Sequence, residues 1–282
     1  MPPRRTEPSF QANPTPPGGG TLKYQILGPI RLVDEDKVRS ISAPKVETLL
    51  TVLLIRNNQV VSTSQLISEI WDERPPRRAT AAVHVYISNL RKLLGDSGGG
   101  PAGPIVTRPP GYLLRLDSEQ LDLTVFQRLV RQGRQSMSES RFEDAARTFD
   151  EALALWRGPI PLSSDGPVMT AFSVGVEEAR LECVELRVEA NLRLGRHRAA
   201  ISDLYGLVNE HPLHEAFYGQ LMRALYLSRR RADALEVYHQ LREVLRRELG
   251  LEPGAALREL QRAVLTDTVV DGEQPARLTS GR

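Results

Sequence analysis

Apolar and polar positions alternate at helical spacing over residues 77–95, RRATAAVHVYISNLRKLLG. At about 100° per residue, Ala79, Ala82, Val83, Tyr86, Ile87, Leu90, Leu93 and Leu94 gather on one side of a helix. Arg77, Ala81, His84, Val85, Ser88, Asn89, Arg91 and Lys92 gather on the other. The first face suits a core, Tyr86 included. The second is small, polar and basic, with Val85 its one exposed apolar residue. Two further helices are predicted ahead of it. Ser42, Pro44 and Glu47 carry the signals of a helix start, and Val46, Leu49, Leu50, Leu53 and Leu54 follow at helical spacing. That helix should end near Asn57-Asn58. After a short Val60-Val61 link, Ser62 or Thr63 can cap a second helix with Leu66, Ile67, Ile70 and Trp71 inside, broken by Asp72–Pro76.

Short strands flank these helices. Leu22–Val33, interrupted by Gly28-Pro29, reads as two strands and a turn, Asp34–Lys37 as another turn, and Val38–Ile41 as a third strand. Ile105–Arg108 and Tyr112–Leu116 read as a hairpin closed by Pro109-Pro110-Gly111, with Gly111 free to take positive φ. Strands, three helices and a terminal hairpin make the order of a winged helix, here residues 22–116. Ser97–Pro104 is glycine-rich, but no Gly-Lys-Ser/Thr follows, so it is not a phosphate loop.

Asp117–Asp122 is polar and acidic and reads as an interdomain linker. Beyond it, helices are predicted near 123–138, 142–156, 172–194, 197–210, 214–228, 231–248 and 254–267, with a loop to about Met169. Segments around Ala145, Ala200 and Ala234 resemble one another, and the second and third stand one tetratricopeptide period of about 34 residues apart. Small alanines let paired helices approach closely and stack. The expected fold class is an α+β winged helix-turn-helix followed by an all-α tetratricopeptide-like repeat domain at residues 117–270. Residues 1–21 and 271–282 read as disordered tails, from their proline, glycine and polar content.

Charge separates the halves. Residues 22–116 hold 13 Lys/Arg against 8 Asp/Glu, and residues 117–270 hold 20 against 24. A mildly basic half beside a mildly acidic one fits a nucleic-acid-facing domain joined to one that meets something else. Cys183 is the one cysteine, so no internal disulfide forms, which fits a reducing cytoplasm. No apolar run is long enough to span a membrane. Histidines 84, 197, 211, 214 and 239 are scattered, and no nucleophile–base pair can be named. Neither a metal site, a cofactor nor an enzyme is expected.

The basic face of residues 77–95 has the chemistry of a major-groove reader. Small residues permit close approach, Arg, Lys and Asn hydrogen-bond base edges or phosphates, and an apolar group meets a thymine methyl. Asn89 suits adenine and Val85 a thymine methyl, while His84 and Ser88 share their face as base or phosphate contacts. Arg91 and Lys92 suit phosphate, as do Arg77 and Arg78 beside the helix N-terminus. A solvated amphipathic helix is the plainer use of the same pattern.

With both halves in view, the chain resembles the Streptomyces antibiotic regulatory protein family over roughly residues 22–268. Leu90–Gly95 and Thr107–Tyr112 are similar to the third helix and wing of OmpR/PhoB-type winged helices. Ala152–Gly158 and Glu248–Gly254 are similar to pieces of the bacterial transcriptional activation domain. The resemblance implies a DNA-binding activator of secondary-metabolite (antibiotic) biosynthesis genes, bound as a homodimer on tandem direct repeats and recruiting RNA polymerase through contacts that include the sigma factor. It implies base contact by Val85 and Asn89, and a wing of Thr107, Arg108 and Tyr112 at the minor groove or phosphates, with Arg108 the residue that enters. Trp71–Arg78 and the early strands are candidate polymerase surfaces, Trp71 itself being mostly packing. Short members carry only these two domains, and the chain resembles one: no Walker A sequence and no receiver domain is expected. Pro109-Pro110 replaces the usual glycine and its neighbour, so the operator cannot be carried over. A repressor of the same architecture and a scaffold without DNA binding both remain open.

Overall fold

The computed structural model describes residues 22–34, 37–41, 43–95, 103–161 and 164–268. Both tails, Ser42 and most of the glycine-rich loop lie outside them. The chain opens with an antiparallel sheet of β1 (Lys23–Gln25), β2 (Arg31–Asp34) and β3 (Lys37–Arg39). Then come α1 (Pro44–Ile55), β4 (Val61–Ser62), α2 (Thr63–Trp71), α3 (Ala79–Leu93), β5 (Ile105–Arg108) and β6 (Gly111–Leu114). β4 is a finding: the link at Val60-Val61 pairs with β6, so the wing is a sheet in the order β4-β6-β5. Ser62 does cap α2, accepting the Gln65 amide at 3.1 Å while the Gln65 side chain accepts the Ser62 amide at 3.1 Å. Past the end of α1, Asn58 takes a left-handed φ of 58°. Its side chain exchanges hydrogen bonds with the Leu116 backbone.

The helical half comprises α4 (Asp122–Ser138), α5 (Phe142–Leu153), α6 (Pro167–Arg193), α7 (His197–Glu210), α8 (Glu215–Leu227), α9 (Arg231–Leu249) and α10 (Ala255–Thr266). The alanine segments have one geometry. Ser140, Gly195 and Arg229 each take positive φ. The next residue, an arginine in each case, donates its amide to a carbonyl five residues back: Ser136, Asn191 and Leu225. Ala145, Ala200 and Ala234 follow as the fourth residues of α5, α7 and α9, all buried. There a larger side chain would hold the paired helices apart.

α6 departs from expectation. It begins at Pro167 rather than near 172 and runs 27 residues, about 40 Å at about 1.5 Å per residue. Its extra turn is held by a residue about 100 positions away. The Val168 amide donates to Glu69 of α2 at 2.8 Å and the Met169 amide donates to it at 3.3 Å. Glu69 is 2% exposed, so a buried carboxylate satisfies the orphan amides at a helix N-terminus, where the dipole favours negative charge. Gly166 is required beside it, since a Cβ there would lie 2.2 Å from a Glu69 carboxylate oxygen.

The segment expected as a linker, Asp117–Asp122, packs against the first sheet. The Tyr24 amide donates to the Gln120 carbonyl at 2.6 Å, which closes the outer edge of β1. Asp122 turns inward, accepting the Ile26 amide at 2.8 Å and the Leu27 amide at 3.0 Å. Burial raises its carboxyl pKa, against the pull of those amides and of Arg157. Arg157 closes the joint by donating to the Pro29 carbonyl at 2.6 Å.

One apolar core therefore runs from Tyr24, Leu32 and Leu53 through Leu121 and Phe126 to Phe149, Met169 and Cys183. A second holds α7 to α10 with the later part of α6. The division between cores falls inside α6. Among the described residues no helix is long and apolar enough to cross a membrane.

Candidate nucleic-acid interface

α3 is oriented by Ala79, Val83, Ile87 and Leu90, which are buried. The opposite face is open. Thr80, Ala81, His84, Val85, Ser88, Asn89 and Lys92 are exposed, and Val85 is 56% so. The predicted base contacts are thus brought together on one surface. Thr80 joins them unforeseen, four residues before His84, and the helical period would have placed it there had residue 80 been projected. Arg77 and Arg78 stand exposed at the helix N-terminus. Tyr86 is half-buried and stacks on Trp71, centroids 6.0 Å apart. The Lys45 ammonium covers the Trp71 ring at 5.1 Å, and Asp72–Arg78 is exposed throughout.

The wing meets this helix at two points. The Nε and Nη2 of Arg91 donate to the Ile105 carbonyl at 3.2 and 3.1 Å, and Nη2 donates to the Thr107 hydroxyl at 2.8 Å. Expected as a phosphate clamp, Arg91 is half-buried, with its Nε and Nη2 bonded to the wing. Tyr112 is a second correction. It is 6% exposed and packs in the core, edge-on to the His84 ring at 6.4 Å. Burial raises its hydroxyl pKa, with Arg91 pulling the other way. Alternation along β6 faces Tyr112 and Leu114 inward, so the ring packs beneath the wing rather than on its exposed surface.

At the wing tip the Thr63 amide and hydroxyl both donate to the Pro110 carbonyl, at 3.1 and 3.2 Å. Gly111 is needed for close approach rather than for positive φ: a Cβ would lie 1.8 Å from the Val61 carbonyl oxygen. Arg108 pairs with Gly111 across the hairpin and is exposed.

Charge compensation divides the molecule. In the helical half many arginines are neutralised, among them Arg128 by Glu119, Arg180 by Glu177 and Arg223 by Glu189. Among the described residues between 40 and 116 there is no ion pair. Among the described residues, Arg77, Arg78, Lys92 and Arg108 are exposed and have no ion-pair partner. Such a surface attracts a polyanion.

Comparison with known proteins decides the lineage. Residues 41–114 match the model described as transcriptional regulatory protein, C terminal, and residues 121–265 match the bacterial transcriptional activator domain. The regulatory protein DnrI of Streptomyces peucetius is 35% identical over 90% of this chain and 96% of its own length. The chain belongs to the Streptomyces antibiotic regulatory protein family. Another relative, the transcriptional regulatory protein EmbR of Mycobacterium tuberculosis, is 34% identical over 92% of this chain and 67% of its own length. A solved structure of EmbR in complex with a low affinity phosphopeptide aligns with a TM-score of 0.85 at 35% identity, covering 89% of this chain. This chain spans 66% of that one. As a member of this family it is a transcriptional regulator, a winged helix joined to a helical activator domain.

Proposed function

We propose that the chain binds double-stranded DNA sequence-specifically and activates transcription from the promoters it occupies. The observation that carries this reading is the uncompensated basic surface around the exposed face of α3. In this reading α3 lies in the major groove, with Val85 and Asn89 reading bases and Thr80, His84 and Ser88 beside them. Arg77, Arg78 and Lys92 hold phosphates, and Arg108 reaches the minor groove. The family resemblance supports the rest: tandem direct repeats occupied by a homodimer, recruitment of RNA polymerase through its sigma factor, and secondary-metabolite genes as targets. The exposed 72–76 segment beside the Trp71–Tyr86 stack is the polymerase-facing surface.

The test is selection of a duplex from a random-sequence library by the full chain, followed by reconstituted transcription from a promoter carrying that duplex. Selected sites in direct repeat, two protomers per site by mass, and increased transcript support the reading. Reduced transcript on the same site makes the protein a repressor. Absence of any salt-dependent duplex binding leaves only a scaffold.

A further inference from the structure

We propose that Arg91 is the positioning residue that holds the wing in register with the recognition helix, with the Thr107 hydroxyl as its second anchor. The inference rests on the DNA-binding reading and assigns Arg91 a different part in it from the phosphate contact that its position on the helix suggests.

The geometry points this way. α3 and β5 carry the major-groove and wing readers and follow one another in the chain. Reading both grooves depends on the angle between them. Arg91 fixes it directly. One guanidinium edge grips the Ile105 carbonyl through two nitrogens, and one of these also reaches Thr107. Ile105 is buried against the domain core, so the grip ties the last turn of α3 to the inner end of β5. Thr107 lies next to Arg108, the residue that would enter the minor groove. Two donors set in a plane define an angle as well as a distance, which a lysine ammonium cannot do.

The other supports constrain other points. Tyr112 meets His84 in the middle of α3, and Thr63 holds the Pro110 carbonyl from α2. Among the described residues, Arg91 supplies the side-chain hydrogen bonds between the C-terminal turn of α3 and the strand bearing Arg108. A site read in two grooves at once needs both readers held within a fraction of an ångström, and supporting hydrogen bonds supply that order before DNA arrives.

Positioning and phosphate contact separate experimentally. A phosphate clamp acts on every sequence and contributes to the salt slope, whereas a positioning residue acts on the correct site and leaves the slope alone. The probes are the duplex enriched from a random library by the unmodified full chain and a scrambled duplex of equal length. Both are titrated by anisotropy over a series of salt concentrations.

We expect Thr107→Val and Arg91→Lys each to weaken the selected duplex about tenfold and the scrambled one less than about twofold, with unchanged salt slope. Thr107→Ser, which keeps the anchoring oxygen, should restore binding. Hydroxyl-radical protection of the minor groove should blur at the wing in both weakened variants, while major-groove methylation interference persists. Thr107→Val changes an exposed position and keeps the test valid if Arg91→Lys impairs folding.

A fall of about one in the salt slope for Arg91→Gln, with equal loss on both duplexes, would overturn the proposal in favour of phosphate contact. Unaltered binding by Thr107→Val would overturn it as well. If the unmodified protein enriched no sequence, the DNA-binding reading itself would fail, an outcome distinct from either.

Discussion

The Glu69 carboxylate accepts the Val168 amide at 2.8 Å, across 99 residues of sequence. It joins the first helix of the helix-turn-helix pair to the longest helix of the repeat domain. The acceptor is buried, and its donors are amides of a helix start, which have no carbonyl within the helix to bond. Glu69→Ala leaves those amides without a partner and should lower stability by about 2–4 kcal/mol. Gly166→Ala forces a methyl against the same carboxylate and should destabilise as well. Urea unfolding of both variants and of the pair checks this. Because the two changes break one joint, the double variant should lose less than the sum of the singles.

The shared core makes a second expectation about where the chain can be cut. Tyr24, Ile26 and Leu27 are covered by Leu121, Leu123 and Phe126 as well as by their own domain. A fragment ending at residue 116 exposes that surface and strands the Ile26 and Leu27 amides that Asp122 satisfies. It should bind a hydrophobic dye and exchange the amides of β1 and β2 rapidly. A fragment extended through α5 to residue 160 should regain protection. Equal exchange in the two would show that the sheet is complete without α4. Assays that assign activation by truncation at residue 116 would otherwise report misfolding.

Much of this was legible in local pattern. The two faces of α3, the hairpin, a capping hydroxyl at Ser62 or Thr63 and the alanine repeats follow from periodicity and turn chemistry, which act over a few residues. What the pattern missed depends on remote partners. The first turn of α6 needs Glu69, the inward Asp122 needs the Ile26 and Leu27 amides, and nothing near Val60-Val61 reveals that it pairs with β6. At the interface, residue type suggested phosphate for Arg91 and DNA contact for Tyr112. A guanidinium and a phenol serve as well inside a protein as outside it. Only the position of the wing shows which way each faces.

The reading face yields a third expectation. Asn89→Ala should reduce discrimination between selected and scrambled duplex by about 1–3 kcal/mol and leave scrambled binding nearly unchanged. Lys92→Ala should weaken both duplexes and reduce the salt slope by about one, whereas Arg108→Ala should weaken the selected duplex more than the scrambled one. Anisotropy titrations over several salt concentrations separate the two behaviours. Equal losses on both duplexes for Asn89→Ala would remove it from base reading.

The fourth concerns acid. Glu189 of α6 bridges two arginines, accepting from Arg193 at 3.0 Å and from Arg223 of α8 at 2.7 Å. Burial pushes its carboxyl upward, but the two guanidiniums outweigh it and hold the pKa below the ordinary 4.5. A carboxylate whose folded pKa is depressed contributes stability above its unfolded value and loses it as the pH falls through the folded one. The wild-type chain should therefore lose part of its stability below about pH 4.5, where unfolded glutamates take up protons first. Glu189→Gln should cost about 1–3 kcal/mol at pH 7, since it breaks a charge-assisted pair between α6 and α8. The difference between the two proteins should then shrink as the pH falls below the unfolded value and through the folded one, where Glu189 takes up its proton. Parallel denaturant titrations between pH 3 and 7 measure it, and a constant gap would mean that the pair stabilises by packing rather than by charge.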